Sequence, residues 1–328
     1  MKFRLRRGQP VRKVVRKLFA FHLERCRAVL SAPPPLPPGQ VHEVRKSTKR
    51  LRALIALVGS HFGRRQRWFD RQLRELNRHL ASVRDAEALQ EAFERLIVGD
   101  DPFPDDFAAV RVSLLNWAAQ HERLSARNLH RALRCLETLV GKWSAARLPK
   151  RGWALLKDDL FRTYRRARRT VRRLPARPSA EELHELRKRV KQVQYHWEFL
   201  QPLWPPRMTA ELEQLELLSD ALGQHHDAEM LRLWVTDGRR GDTVARHTVQ
   251  RLLRLVDRQQ QQLAAEARRL AALCFAEPPR SVCQRLRRYW RVWRTQKAEV
   301  PAVPPVSTPA RPPRVGVEHE DAVAPAAR

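Results

Sequence analysis

Apolar residues recur three and four positions apart in long blocks of this chain, the spacing that lines up one face of a helix. In "PVRKVVRKLFAFHLERC", Val11, Val14, Val15 and Leu18 form one stripe, and Lys13, Arg16 and Lys17 oppose it. In "LFRTYRRARRTVRRL", Leu160, Tyr164, Ala167, Val171 and Leu174 oppose Arg162, Arg165, Arg166, Arg169 and Arg173. Proline clusters at 31–40, 174–180, 204–207 and 277–280 mark the joints, because proline breaks a helix interior but starts a helix readily. Only 11 glycines interrupt the rest, so an all-α fold is predicted. The helical period stops near residue 298, where Pro, Ala and Val replace the large apolar residues, which predicts a disordered tail over 298–328.

One pattern occurs twice. "VHEVRKSTKRLRAL" at 41–54 realigns on "LHELRKRVKQVQYH" at 183–196, and "VRDAEAL" at 83–89 on "HHDAEML" at 225–231. Both pairs share one offset (184 − 42 = 142 and 227 − 85 = 142), which points to a duplicated helical unit with halves at 1–147 and 148–297. At about 100° per residue, Arg45, Lys46, Lys49 and Arg52 fall within about 80° of His42, while Val44, Leu51, Leu54, Ile55 and Val58 gather at the opposite pole. In the second copy His184, Arg187, Lys188, Lys191 and Tyr195 share the front, and Leu186, Val190, Val193, Trp197 and Leu200 take the back. Two such helices packed about a pseudo-twofold axis would set both basic stripes into one shared groove.

Charge sharpens this picture. Lys and Arg total 65 against 35 acids, a net charge of +30, and the three Arg and four acids of 299–328 place all of that excess in the helical part. Such a charge calls for a polyanion, whether nucleic acid, an anionic membrane or a phosphate polymer. The pairs Arg45 with Lys49 and Lys46 with Arg50 are like charges four apart, each costing roughly 0.2–0.5 kcal/mol that a merely solvated face would avoid. The basic faces of the preceding helices, with Lys13, Arg16, Lys17, Arg162, Arg165 and Arg169, are second-tier candidates, as are Arg50 and Tyr195. Asp85 and Asp227 are placed to accept hydrogen bonds and orient the basic side chains.

Other chemistry finds little footing in the sequence. The four cysteines show no C-x-x-C pair and read as reduced thiols. The cluster His225, His226, Asp227 and Glu229 resembles a metal set, but its counterpart "VRDAE" lacks both histidines, so no metal and no cofactor are expected. No nucleotide, hydrolase or zinc-protease fingerprint occurs, and a binding protein is expected rather than an enzyme. The basic N-terminus lacks the apolar core of a signal peptide and no segment is apolar enough to span a bilayer, which predicts a cytoplasmic protein that does not bind membranes.

At "VHEVRKSTKRLRALIAL", "LHELRKRVKQVQYHWEFL" and the paired "LNRHLASVRDAEAL" and "LSDALGQHHDAEML", the chain resembles the CHAD family, the conserved histidine α-helical domain, over about residues 8–295. The resemblance implies two antiparallel four-helix bundles that bind inorganic polyphosphate in a basic groove, in a stand-alone form without a triphosphate-tunnel domain, and an association with polyphosphate granules. It carries the binding role to His42, Arg45, Lys46, Lys49, Arg52, His184, Arg187, Lys188 and Lys191. Gln192 and Gln194 stand where the first copy has Arg50 and Arg52, so the second copy is expected to grip less along its later turns. Nucleic acid is the rival ligand, retained as a secondary one at low salt. Base stacking would place aromatics among the basic residues, and only Tyr195 sits on that front.

Overall fold

The computed structural model describes residues 1–33, 36–100, 104–121, 126–148, 152–237 and 244–296, without the side chains of 38, 82–87, 98–100, 104, 105 and 121. The predicted tail and the side chain of Asp85 lie outside this description. Among the described residues the secondary structure is helical, with no strand, in agreement with the all-α reading. The helices are α1 Val11–Leu30, α2 Pro38–Val58, α3 Arg64–His79, α4 Ala81–Asp100, α5 Ala108–His121, α6 Ala126–Ser144, α7 Lys157–Arg173, α8 Ala180–Leu200, α9 Pro205–Thr236, α10 Arg246–Cys274 and α11 Pro279–Thr295. Met1–Thr295 forms one compact unit.

The repeat read from the sequence is visible in the helix boundaries. α2 and α8 each span 21 residues, displaced by 142 (180 − 38), and each runs into a short 3-10 turn, Gly59–His61 and Gln201–Leu203, at the same displacement. Several helices begin at the proline joints: Pro38, Pro205 and Pro279 occupy first helical positions, where a missing N–H costs nothing. α8 begins more firmly than α2. Its N-cap Ser179 accepts from the backbone N–H of Glu182, whose side chain accepts in turn from Ser179 N–H at 2.8 Å, while α2 starts on Pro37 with no side-chain cap.

The copies differ where α3 and α4 meet. The chain breaks helical geometry at Leu80 (φ −106°, ψ 10°), yet the equivalent stretch of the second copy runs unbroken through the 32 residues of α9. The apolar interior forms two clusters. The larger gathers α1, α2, α3, α6, α7, α8, α11, the first half of α9 and the last half of α10; the smaller joins Phe93, Val110, Trp234 and Leu252 from α4, α5, α9 and α10. Each therefore draws on both halves of the sequence. The backs of the two basic helices are buried as the period predicts: Val44, Leu51, Leu54, Ile55 and Val58 on α2, and Leu186, Val190, Val193, Trp197 and Leu200 on α8.

Candidate functional site

α2 packs directly on α8, so the two copies of the motif are neighbours. Two buried histidines fix this contact and its flank. His196 of α8 donates from Nε2 to the Ala53 carbonyl of α2 at 3.0 Å, and His22 of α1 meets Ser47 of α2 through Nδ1 at 3.2 Å. Burial holds both imidazoles neutral, at about 4 for His196 and, with help from the Arg50 and Arg25 charges, about 3 for His22. Asp159, 4 % exposed, ties α7 to the turn after α2 by accepting from Ser60 N–H at 2.8 Å and from its hydroxyl at 2.7 Å.

Upon this frame the basic stripe of α2 divides. Arg45 turns toward α3 and donates to the carbonyls of Asn77 (3.3 Å), which also accepts from Leu80 N–H, and of Leu80 (3.1 Å), at the break between α3 and α4. Arg52 leans the same way onto Asp70 of α3 at 2.9 Å. Arg50 reaches across to Glu198 of α8 at 2.6 Å and lies over the ring of Phe3. Lys46 is 45 % exposed and only loosely paired with Glu43, at 4.0 Å, while His42 and Lys49 are exposed.

The corresponding stripe of α8 is crowded with like charge. Desolvation first, and then the Arg187 and Lys46 charges, lower the pKa of Lys191, against the opposing pull of Asp220 and Glu216 on α9. Lys46 and Lys191, one from each copy, are therefore near enough for one charge to act on the other. The Arg187 guanidinium lies against α9 where a Cβ on Gly223 would stand 3.6 Å from Nη2. Because α9 is unbroken there, Arg187 meets no helix end like the one that holds Arg45. Lys188 is 57 % exposed and pairs with Glu185 at 3.0 Å. His184 is half-buried, its pKa lowered by desolvation and by Lys188 and Arg187.

The second-tier residues scatter. Lys13 and Lys17 are exposed on α1, and Arg16 caps the end of α6 through the Ser144 and Ala146 carbonyls. On α7, Arg165 and Arg169 are exposed on the outer face and Arg162 pairs with Asp159. Tyr195 is covered: Phe3 of the N-terminal segment meets it edge to ring, and burial pushes its hydroxyl up to about 12. The sequence could not show this, because a single Phe among basic residues carries no period. Asp227 lies half-buried on α9. His226 stands out in the sequence only as part of a metal-like cluster. It stands against His184 with ring centroids 4.6 Å apart, and its signal in the sequence is its position, 142 residues after Arg84 (226 − 84). Among the described residues no three His, Cys, Asp or Glu side chains come together as a metal set.

Comparison with known proteins agrees with this architecture. The solved structure of PptA from Streptomyces chartreusis superposes with a TM-score of 0.52 at 15 % identity, covering 80 % of this chain and 99 % of that one, which speaks for the fold alone. No curated protein matches the chain in sequence. The model of the CHAD domain matches residues 22–236, a span that contains α2, α8 and both copies of the histidine and aspartate motifs. The chain thus belongs to the CHAD domain family.

Proposed function

We propose that the chain binds inorganic polyphosphate along the basic fronts of α2 and α8. The family's association with polyphosphate supports this reading, and one observation carries it: α2 packs on α8, and Lys191 of α8 is partly buried where first burial and then the Arg187 and Lys46 charges, one from each copy, disfavour its ammonium. A lysine whose ammonium is disfavoured by burial and by nearby cations gains from a multivalent anion. Lys acts there as a point charge and Arg187 as a fork for two oxygens, a combination suited to a repeating chain without bases. We propose a binding protein rather than a hydrolase, since the repeated positions on the fronts of α2 and α8 supply cations and imidazoles but no carboxylate pair. Its setting in this proposal is the cytoplasm, at polyphosphate granules.

Calorimetric competition at physiological salt, with long-chain polyphosphate against duplex DNA and single-stranded RNA at equal phosphate concentration, tests the assignment. A clear preference for polyphosphate is expected, and equal or tighter nucleic-acid binding overturns it. Joint replacement Lys46→Ala and Lys191→Ala is expected to weaken polyphosphate binding at least tenfold and to reduce the slope of log affinity against log salt by about one to two. Nucleic acid at low salt is the second reading. The outer face of α7 favours it, with Arg165, Arg166, Arg169, Arg172 and Arg173 all exposed and outside any ion pair among the described residues, and so does Trp204, 47 % exposed against Tyr289.

A further inference from the structure

His226 lies on α9, three residues beyond Gly223, and faces the first turns of the α8 stripe. Its ring is tilted 37° to that of His184, and the groups that act on it are Arg187 and Lys188 from α8 together with His184 and its own neighbour His225. All of these are cationic or become so on protonation. Of the nearby acids, Glu185 is held by Lys188 and Arg189, Glu229 accepts from Gln260 of α10 at 2.8 Å and lies 3.4 Å from Arg232, and Asp227, next to His226 on α9, is half-buried and engaged as well. On the α10 side Arg232 also pairs with Asp257. Two imidazoles this close, beside two fixed positive charges, cannot both be charged in the free protein. Burial and these charges hold His226 near 4. An anion placed on them reverses the balance, because each phosphate unit brings a negative charge that favours the imidazolium and two oxygens that accept from its N–H groups.

We propose that His226 is an anion ligand paired with His184, and that the two imidazoles take up protons from solvent as a phosphate chain settles on them. This rests on the polyphosphate reading and adds a residue and a proton linkage to it. The groove is then a stronger binder in acid than in base. The first copy has no counterpart of this linkage, since Arg84 stands at the matching position and carries a fixed charge.

Titration calorimetry of the full chain with long-chain polyphosphate, from pH 6 to 8 in two non-phosphate buffers of different ionisation enthalpy, counts the protons taken up. The wild type is expected to absorb between about half a proton and two protons per site, with affinity rising several-fold from pH 8 to 6; the ceiling is about tenfold per pH unit for each proton. His226→Gln is expected to lose affinity at pH 6 more than at pH 8. His226→Arg, which supplies a permanent charge, is expected to bind several-fold more tightly than wild type at pH 8 and to show a flatter pH profile with less proton uptake. Circular dichroism of each variant checks that the helices remain. Polyphosphate binding with the same proton count and pH slope in wild type and both variants overturns this inference alone. A wild type that does not bind polyphosphate at any of these pH values removes the functional reading beneath it.

Discussion

Arg45 is a binding candidate by its place on the helical wheel and a structural residue by its contacts. Its guanidinium satisfies carbonyls at the break between α3 and α4, so Arg45→Ala is expected to lower stability by about 1–3 kcal/mol, measured by urea denaturation, as well as to weaken anion binding. Lys46→Ala, removing an exposed cation that is like-charged with Arg50 and only loosely paired with Glu43, is expected to change stability by no more than about 0.5 kcal/mol in urea denaturation. The buried histidines set the acid limit of the fold. His22 and His196 have folded pKa values depressed to about 3 and 4 from 6.5. Above 6.5 they are neutral whether the chain is folded or not; below it the unfolded chain binds protons that the folded chain excludes, so stability falls as pH falls. The expected loss is up to about 1.4 kcal/mol per pH unit for each group between 6.5 and its folded value. Urea midpoints from pH 7.5 to 4.5 measure the slope, and His196→Gln should reduce it; a flat profile in the wild type rules the explanation out.

At the scale of the element, periodicity located α2 and α8 and the faces they bury, because a stripe of Val, Leu and Ile at helical spacing has one use in a bundle. It did not tell which cations remain open to a ligand. Helical angle puts Arg45, Lys46 and Arg52 on one front, but neighbouring helices divide them, with Arg45 and Arg52 drawn to α3 and Lys46 left exposed beside Glu43 of its own helix. The matched elements also differ in continuity. The helix broken at Leu80 brings the Asn77 and Leu80 carbonyls within reach of Arg45, whereas α9 runs unbroken past Gly223, where Arg187 lies against it. The two copies also differ in residue type along their later turns, where Gln192 and Gln194 stand at the positions of Arg50 and Arg52.

Across the whole molecule both apolar clusters are shared between the halves. Phe93 and Val110 rely on Trp234 and Leu252, and α2 relies on α8. The full chain is expected to unfold in a single calorimetric transition. A fragment of residues 1–147, which leaves those faces uncovered, should show no cooperative transition by circular dichroism; a cooperative one would mean that the halves fold independently. The N-terminal segment belongs to the same unit, since Phe3 and Leu5 are almost fully buried and Leu5 donates its N–H to the Phe199 carbonyl at 2.8 Å.

The sequence by itself determined the helical class, several of the helix starts, the 142-residue repeat, the apolar backs of the basic helices and the family, because each is written in local spacing and residue type. Tertiary structure decided what the cations do. Side-chain angle on a helix is a local property, but whether a guanidinium meets a carboxylate, a helix end or open solvent depends on residues far along the chain: Arg50 on Glu198, Arg45 on the break at Leu80, and His184 on His226.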